Sequence, residues 1–475
     1  MDRHIVVADL GYGDAGKGGI VDWLCSPLGG GAEPVHTVVR YNGGAQAAHN
    51  VVTPDGRWHT FAQFGSGTFT PGVRTFLSRF MMVDPLAMVA EAQHLAGNAE
   101  HLAAEGVAGP FALVDVDRDA LLTTPYHQAA NQARERARGA GRHGSCGMGI
   151  GETAAYALSY PADAPRAGDC LAGRDLERKL MLLRDWAVAE AGAGTVAGTT
   201  AGAGAGTAAG TTAEAGAGTA APAATDGTAL PPPSVVADAF RMWARQVTLT
   251  GDGHLARLLR RPGRAVFEGA QGVLLDEWRG FHPYTTWSTT TFGNAEALLR
   301  EAGMDGAAIR LGVTRTYQVR HGPGPFVSED PTLELPEAHN RTGRWQGPVR
   351  AGHLDAVALR YAIEACGGVD AIALTHLDTA RAHAGELRAC RAYQIGARGL
   401  TGRLAIGPPR DLAYQERLTG MLRSARPVYS APVPWRDWPD LVAEIAGTPV
   451  AIRSSGPDRA STAGGFRTLP ATASL

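Results

Sequence analysis

The sequence predicts an α/β protein built on a large, mostly parallel β-sheet with helices on both faces. Three observations predict it. Short apolar runs of strand length alternate with longer stretches of helical period along the chain. Several of those runs pass directly into glycine-rich turns, as strands do when they feed loops at their carboxyl ends. At 475 residues with 44% hydrophobic side chains, the chain is long enough to bury both faces of such a sheet.

The strands are expected at Ile5–Ala8, His36–Arg40, Phe111–Val116, Ala265–Phe267, Ile309–Val313, Ala371–Leu374 and Val450–Ile452. Between them, Pro85–Leu95, Leu176–Ala189, Ser234–Val247 and Leu354–Ala365 repeat apolar residues at helical spacing. One segment stands apart. Ala191–Ser234 is almost entirely Ala, Gly and Thr and ends in three prolines, Pro231–Pro233. It carries too little apolar bulk to offset the entropy of ordering it, so residues 191–234 read as a disordered insertion within a single domain spanning 1–475. Residues 468–475 read as a loose tail.

Bulk properties narrow the function classes. A formal net charge of −2 gives no electrostatic case for nucleic acid or an anionic membrane as partner. Five cysteines without a CxxC pair suggest reduced thiols in the cytoplasm. No apolar run approaches the roughly 20 residues that span a bilayer, and a strand at Ile5 leaves no room for a signal peptide.

The motifs sit at the strand ends. Gly11–Gly18 reads GYGDAGKG after the first strand and nearly fits the phosphate-binding pattern Gly-x4-Gly-Lys-Ser/Thr, with Gly11, Gly16 and Lys17 in place. Such a loop aims backbone N–H groups and one ammonium at a phosphate. The next residue is Gly18, which has no hydroxyl for Mg²⁺, and an acid, Asp14, lies inside the loop. Beside a phosphate, a carboxylate is repulsive unless a metal or a proton transfer compensates. From the loop alone, Asp14 is either chemically active or a turn residue.

Further along, Arg40–Asn50 (RYNGGAQAAHN) leads two glycines and small residues to His49, a candidate acid. Phe267–Gly280 (FEGAQGVLLDEWRG) carries Glu268 and Gln271 in another strand-end turn, followed by hydroxyls at Thr285 and Thr286 that suit a monophosphate. Thr316–Phe326 is a rigid Gly/Pro loop with Arg320 and His321. Asn340–Asp355 places Arg341, Arg344 and Arg350 in a loop before a helix, and arginine forks suit carboxylates and phosphates. Thr375–Asp378 (THLD) and Ser454–Arg459 (SSGPDR) follow the last two predicted strands. The Asp378 carboxylate matches the paired N–H donors of a guanine edge and repels adenine, which has none.

Taken together and in this order, these segments resemble the adenylosuccinate synthetases. That family has a Gly-Asp-Glu-Gly-Lys-Gly-Lys loop, a Gly-Gly-x-Asn-Ala-Gly-His loop and a Phe-Glu-Gly-Ala-Gln-Gly segment. It also has Gly-Pro-Phe, Thr-Gly-Arg, Leu-Thr-Lys-Leu-Asp and Ser-x-Gly-Pro-x-Arg. The resemblance runs from Ile5 to about Arg459, interrupted by the Ala/Gly/Thr insertion. It implies a GTP-dependent ligase that phosphorylates the 6-oxygen of a nucleotide lactam and then displaces phosphate with the amine of L-aspartate. By resemblance, Asp14 is the base that takes the purine N1 proton and, with the Ala48 carbonyl, a Mg²⁺ ligand. His49 acts as acid near the β/γ-phosphates, Lys17 neutralises transferring charge and Gln271 steadies the 6-oxyanion. GTP would lie on Gly13, Gly16, Lys17, Gly18, His49, His376, Asp378, Ser454 and Gly456. The acceptor would meet Gln46, Cys146, Gln271 and Thr286, and the amino acid Thr342 and Arg344. A homodimer is implied as well.

The departures from the family pattern cluster by role. Ala15 and Gly19 replace charged loop residues, Gln46 replaces an asparagine facing the base, and Ala48 replaces a glycine. In the monophosphate loop Ser145–Gly149, Cys146 stands for a threonine and Met148 for an arginine. The arginine expected to reach a neighbouring subunit falls near Tyr160, and His376 replaces a guanine-side lysine. Catalytic, guanine and amino-acid positions are kept while acceptor contacts are eroded. The expected acceptor is therefore IMP or an IMP-like nucleotide. The reading from another class is a GTP-binding protein of the same fold without ligase activity.

Overall fold

A computed structural model of the chain describes residues 4–29, 33–98, 107–198, 229–335, 337, 340, 343, 345–396 and 399–466. Its centre is a ten-stranded sheet. From one edge to the other the strands are Thr462–Gly464, Val450–Ser454, Ala371–Thr375, Ala308–Arg315, His4–Asp9, Arg264–Glu268, Val35–Arg40, Arg74–Leu77, Val114–Asp117 and Thr248–Thr250. Neighbours pair in parallel except at the Thr462–Gly464 edge, which is antiparallel to Val450–Ser454.

The period-2 alternation of a strand explains how both faces become buried. Ile5 and Val7 join Val38, Val266, Leu311 and Ala373 in a core under the first helix, Lys17–Cys25, through Ile20, Val21 and Leu24. Val6 and Ala8 point the other way, into the larger core with Phe267, Ile372, Leu374 and Tyr361. A third core lies at the Thr248 end. There Val114 and Val116 pack with Leu180, Leu183, Phe240 and Trp243 from the helices Asp175–Gly198 and Pro233–Ala244.

Every expected strand lies in this sheet, with informative shifts. Phe111–Leu113 form a 3₁₀ turn after Pro110, and the strand starts at Val114. Proline has no N–H to give a ladder, and its fixed φ favours a turn there. Leu354 and Asp355 end the strand Val349–Asp355 rather than opening a helix. The Asp355 carboxylate accepts from Val357 N and Ala358 N, so the helix begins at Ala356. The helix from Pro233 stops at Ala244, short of the expected Val247. Part of the stretch 191–234, expected as a disordered insertion, is helical. The helix Asp175–Gly198 runs eight residues into it, from 191 to 198, and the next helix starts at Pro233. Residues 199–228 and 467–475 lie outside the described residues.

A smaller five-stranded sheet holds Tyr317–His321, Val349–Asp355, Ala389–Gln394, Leu400–Thr401 and Arg426–Tyr429. Its importance is positional. Tyr317–His321 leaves the main sheet just beyond Arg315 and carries the loop from Gly322 to Phe326.

Candidate active site

The loops that follow His4–Asp9, Val35–Arg40, Arg264–Glu268, Ala308–Arg315, Ala371–Thr375 and Val450–Ser454 leave the carboxyl ends of consecutive strands. They contain the Gly11, Arg40, Phe267, Thr375 and Ser454 motifs singled out in the sequence. Parallel strands expose their carboxyl ends on one edge, and that edge is where open α/β sheets bind ligands.

The first loop is organised by Asp9, a residue the motif reading passed over. Its carboxylate accepts from Gly11 N at 2.8 Å, Ala15 N at 2.8 Å, Gly13 N at 3.3 Å and Lys17 Nζ at 3.0 Å. Lys17 also donates to Gly13 O at 2.7 Å, and its side chain is buried. Gly16 enters the helix in the left-handed region, φ 86°, a conformation glycine adopts without steric cost. No side chain caps this helix, so its first N–H groups are available to an anion. Gly18 lies against the second loop: a Cβ there would come 2.9 Å from His49 Cβ and 3.1 Å from Asn50 O.

His49 and Glu268 join the second and third loops. His49 Nδ1 is 2.6 Å from Glu268 Oε1, and both side chains are buried. Glu268 also accepts from Ser66 N at 3.0 Å and from the Ser66 hydroxyl. Burial pushes this carboxyl up, but the Arg40 charge, His49 and Ser66 outweigh it and hold it at about 2. Burial lowers the His49 imidazole, and Glu268 only partly opposes that. The arrangement is a neutral ring whose Nδ1–H donates to a carboxylate, leaving Nε2 for a ligand. Sequence reasoning flagged both residues and missed their partnership.

Asp14 is half-buried, and its Oδ2 stands 3.1 Å from His321 Nε2. Burial raises its carboxyl, yet His321, Arg315 and Lys17 together bring it below the ordinary carboxylate range. Arg315 donates to Asp14 O at 2.9 Å and pairs with Glu337. Gln271 takes a left-handed backbone, φ 58°, which is strained for a side-chain-bearing residue and marks a tightly specified turn. A Cβ on Gly13 would lie 3.2 Å from Gln271 Cα, and one on Gly43 would lie 3.3 Å from Gln271 Oε1. Buried polar atoms without a hydrogen bond of ordinary geometry collect here: Asp14 Oδ2, His321 Nδ1, Gln271 Oε1 and both amide atoms of Gln46. Orphaned polar groups at a strand-end cleft are what a bound polar ligand satisfies.

In the loop expected to meet the acceptor, Asn131 Oδ1 accepts from Gly149 N at 3.2 Å, and its Nδ2 donates to Ser145 Oγ at 3.0 Å, which fixes the loop around Cys146. A Cβ on Gly147 would come 2.6 Å from Trp345 Cδ1, and one on Gly151 would come 3.2 Å from Trp287 Cδ1. The Cys146 loop and the segment holding Thr286 are therefore neighbours. Burial pushes the Cys146 thiol up to about 11, so it stays protonated. Arg136 and Arg142 stack on Trp345 at 5.5 and 5.9 Å, returning positive charge beside the loop that lost it at Met148. Thr342, Arg344 and Arg341 lie outside the described residues. Arg350 sits in a strand rather than a loop and is engaged with Gly322 O, Gly324 O and Glu329.

In the segment expected to read guanine, Thr375 Oγ1 donates to Ala15 O at 2.7 Å, tying this loop to the first. His376 has φ 58° and its ring meets Tyr317 edge-on at 5.6 Å. Burial holds the His376 imidazole well below its ordinary value. Asp378 is half-buried in the first turn of the helix Leu377–Ala382. Ser454 is buried and accepts from Thr462 Oγ1 at 3.0 Å, close to Gly456, whose carbonyl accepts from its hydroxyl at 3.3 Å. Arg459 pairs with Asp22 of the first helix, Nε to Oδ2 2.9 Å, so it braces the site from behind.

Among the described residues no group of three or more His, Cys, Asp or Glu side chains could hold a metal. The donor set still fits Mg²⁺, which is commonly bound through one or two carboxylates plus substrate phosphates. Asp14 supplies an accessible carboxylate, and exposed Ala48 supplies a carbonyl next to His49.

A sequence model of a protein family described as adenylosuccinate synthetase matches residues 6–193 and 237–463. Adenylosuccinate synthetase of Neisseria gonorrhoeae (strain ATCC 700825 / FA 1090) is 29% identical over 485 aligned positions, covering 97% of this chain and 98% of that protein. The Acidithiobacillus ferrooxidans adenylosuccinate synthetase is 30% identical over 489 positions with the same coverage. A structure of fully ligated adenylosuccinate synthetase from Plasmodium falciparum superimposes with a TM-score of 0.72 at 19% identity, covering 98% of this chain and 100% of that one. At that identity the likeness establishes a shared fold.

Proposed function

The chain belongs to the adenylosuccinate synthetase family, and on that premise we propose that it is a GTP-dependent carbon–nitrogen ligase joining L-aspartate to IMP or an IMP-like nucleotide. The observation that carries the reading is the convergence of Asp14, Lys17 and the His49–Glu268 pair on one edge of the sheet. The orphaned amides of Gln46 and Gln271 lie beside them.

The chemistry follows from the groups. A lactam oxygen is a poor leaving group, and phosphorylation makes it a good one. Asp14, an ionised carboxylate, accepts the ring N1 proton, which places the electron pair on the 6-oxygen. That oxygen attacks the γ-phosphorus of GTP and GDP leaves. Lys17 spreads the charge that develops on the phosphoryl oxygens. The arriving phosphates oppose the burial that depresses His49, and Glu268 stays ionised to balance the imidazolium, so Nε2 donates to the β/γ region. Gln271 donates to the 6-oxyanion. The aspartate amine then attacks C6, phosphate departs, and the amine loses a proton, giving an N6-succinyl nucleotide. Asp14 and the Ala48 carbonyl would hold Mg²⁺, which supplies charge neutralisation at the phosphates.

Gly13, Gly16, Gly18, Asp378, His376, Ser454 and Gly456 are proposed for GTP, Cys146 and Thr286 for the acceptor, and Thr342 and Arg344 for the amino-acid carboxylate. A homodimer and a cytoplasmic location are proposed on family grounds; no helix of the described residues is long and apolar enough to cross a membrane. One observation favours an acceptor other than IMP itself. The acceptor loop carries a protonated thiol at Cys146 and is covered by Trp345.

Incubating the protein with GTP, Mg²⁺, aspartate and IMP, and following adenylosuccinate and phosphate, tests the reading. Rapid adenylosuccinate formation assigns IMP. Phosphate release only with modified nucleotides assigns a changed acceptor. GTP binding without phosphate release under any acceptor overturns the ligase reading in favour of a GTP-binding protein.

A further inference from the structure

The chemistry above uses Asp14 and leaves the imidazole beside its carboxylate without a role. His321 Nε2 lies 3.1 Å from Asp14 Oδ2. The ring ends the strand Tyr317–His321, where its register sets His321 opposite Val349. The backbone then turns at Gly322, φ 69°. Two guanidinium groups pin the turn. Arg350 donates to Gly322 O at 2.8 and 3.1 Å and to Gly324 O at 3.0 Å. Arg320, itself buried, donates to Pro323 O at 3.0 Å and Pro325 O at 2.8 Å. The imidazole therefore stands on a fixed base beside the side chain of Asp14, whose backbone is held by Arg315 at Asp14 O. A rigid partner removes rotamer freedom from a carboxylate that must meet a ring N–H in one orientation.

The other face of the ring is equally telling. Glu337 and Asn340 are its further polar neighbours. Its Nδ1 is buried without a hydrogen bond of ordinary geometry among the described residues. A Cβ on Gly322 would lie 3.6 Å from Gly144 Cα, so the turn that follows His321 borders the segment leading into Cys146. The contacts run unbroken from His321 through Asp14 and Gly13 to Gln271, and from there through Gly43 and Gly44 to Gln46.

We propose that His321 is a positioning residue of the ligase reaction: its Nε2 holds the Asp14 carboxylate in the orientation that receives the acceptor's ring proton, and its Nδ1 is reserved for a polar edge of that acceptor. The proposal rests on the ligase reading above.

Glutamine and asparagine separate the two ring nitrogens, because a glutamine amide reaches the place of Nε2 and an asparagine amide that of Nδ1. His321→Ala, His321→Gln and His321→Asn are compared with the parent protein in steady-state kinetics with GTP, Mg²⁺, aspartate and IMP, and by crystal structures of each. Expected is a kcat lower by about 10- to 100-fold in the Ala and Asn variants, recovery of most of that loss in the Gln variant, and an unchanged KM for GTP. The Asp14 carboxylate keeps its place in the Gln variant and turns away in the Ala variant. Equal kcat across the set, or Asp14 in its original orientation in the Ala variant, overturns the proposal. If the parent protein forms no product from IMP, that outcome bears on the acceptor reading, and the position of Asp14 in the structures decides this one.

Discussion

Glu268 Oε1 lies 2.6 Å from His49 Nδ1, joining residues 219 apart in the chain inside the buried floor of the site. Glu268→Gln keeps the shape and removes the charge that balances an imidazolium. The expected result is a kcat lower by about 100-fold with little change in the KM for GTP, read from steady-state kinetics. A pH effect follows with a definite sign. The folded-state carboxyl sits at about 2, below its ordinary 4.5. Its contribution to stability is complete above pH 4.5 and is lost as pH falls toward 2. Denaturant unfolding across that window should show a shallower acid loss in the Gln variant than in the parent.

Two adjacent glycines should respond in opposite ways to alanine. A Cβ on Gly18 would press on His49 Cβ at 2.9 Å, whereas one on Gly19 meets nothing within 4 Å. Gly18→Ala is expected to displace His49 and lower both activity and GTP affinity. Gly19→Ala is expected to leave activity intact and to stabilise the first helix by about 0.5–1 kcal/mol. Thermal melts alongside an activity assay check both.

Asp9 and Lys17 form a buried ion pair, 3.0 Å apart, within a carboxylate that also gathers three loop N–H groups. Asp9→Asn leaves a buried ammonium without its counter-charge. Breaking such a pair from one side costs about 3–5 kcal/mol, so the melting temperature should drop and GTP binding by calorimetry should weaken.

Asp378 is proposed to read the guanine edge, where a carboxylate accepts from two N–H donors. Asp378→Asn replaces one acceptor with a donor. The measured preference should shift from GTP toward XTP, with kcat/KM for GTP falling by about 10⁴-fold, the discrimination typical of a lost paired polar contact. Unchanged GTP preference in that competition would remove Asp378 from the guanine site.

Cys146 is held protonated, its thiol pushed up to about 11 by burial. The thiolate is the reactive form, so alkylation of this residue by iodoacetamide at pH 8 should be slow and should accelerate steeply near pH 11. Cys146→Thr restores a good hydroxyl donor at the same place and should lower the KM for a nucleoside monophosphate acceptor.

Much of the fold was legible because its signals are local. Ile5–Ala8, Ala371–Leu374 and the other apolar runs carry strand character in a few consecutive residues, and the glycines after them mark where the chain must turn tightly. Arg74–Leu77, Thr248–Thr250 and Thr462–Gly464 went unread because short strands with few apolar residues owe their pairing to neighbours rather than to their own pattern. The shift of the helix start to Ala356 came from the cap at Asp355, a hydrogen bond that periodicity does not register.

By itself, then, the sequence determined the α/β class, the run of strands, and which strand-end segments carry Asp14, Lys17, His49, Gln271 and Asp378. These follow from spacing along the chain. Only the tertiary structure decided that Asp9 anchors Lys17, that Glu268 holds His49 and that His321 stands against Asp14. Two of those pairings cross hundreds of residues and arise from the order in which parallel strands enter the sheet. The third is short in sequence but depends on how a glycine-rich loop folds back on its own strand. Strand order and loop closure are set by the burial of the whole core, and local pattern does not encode them.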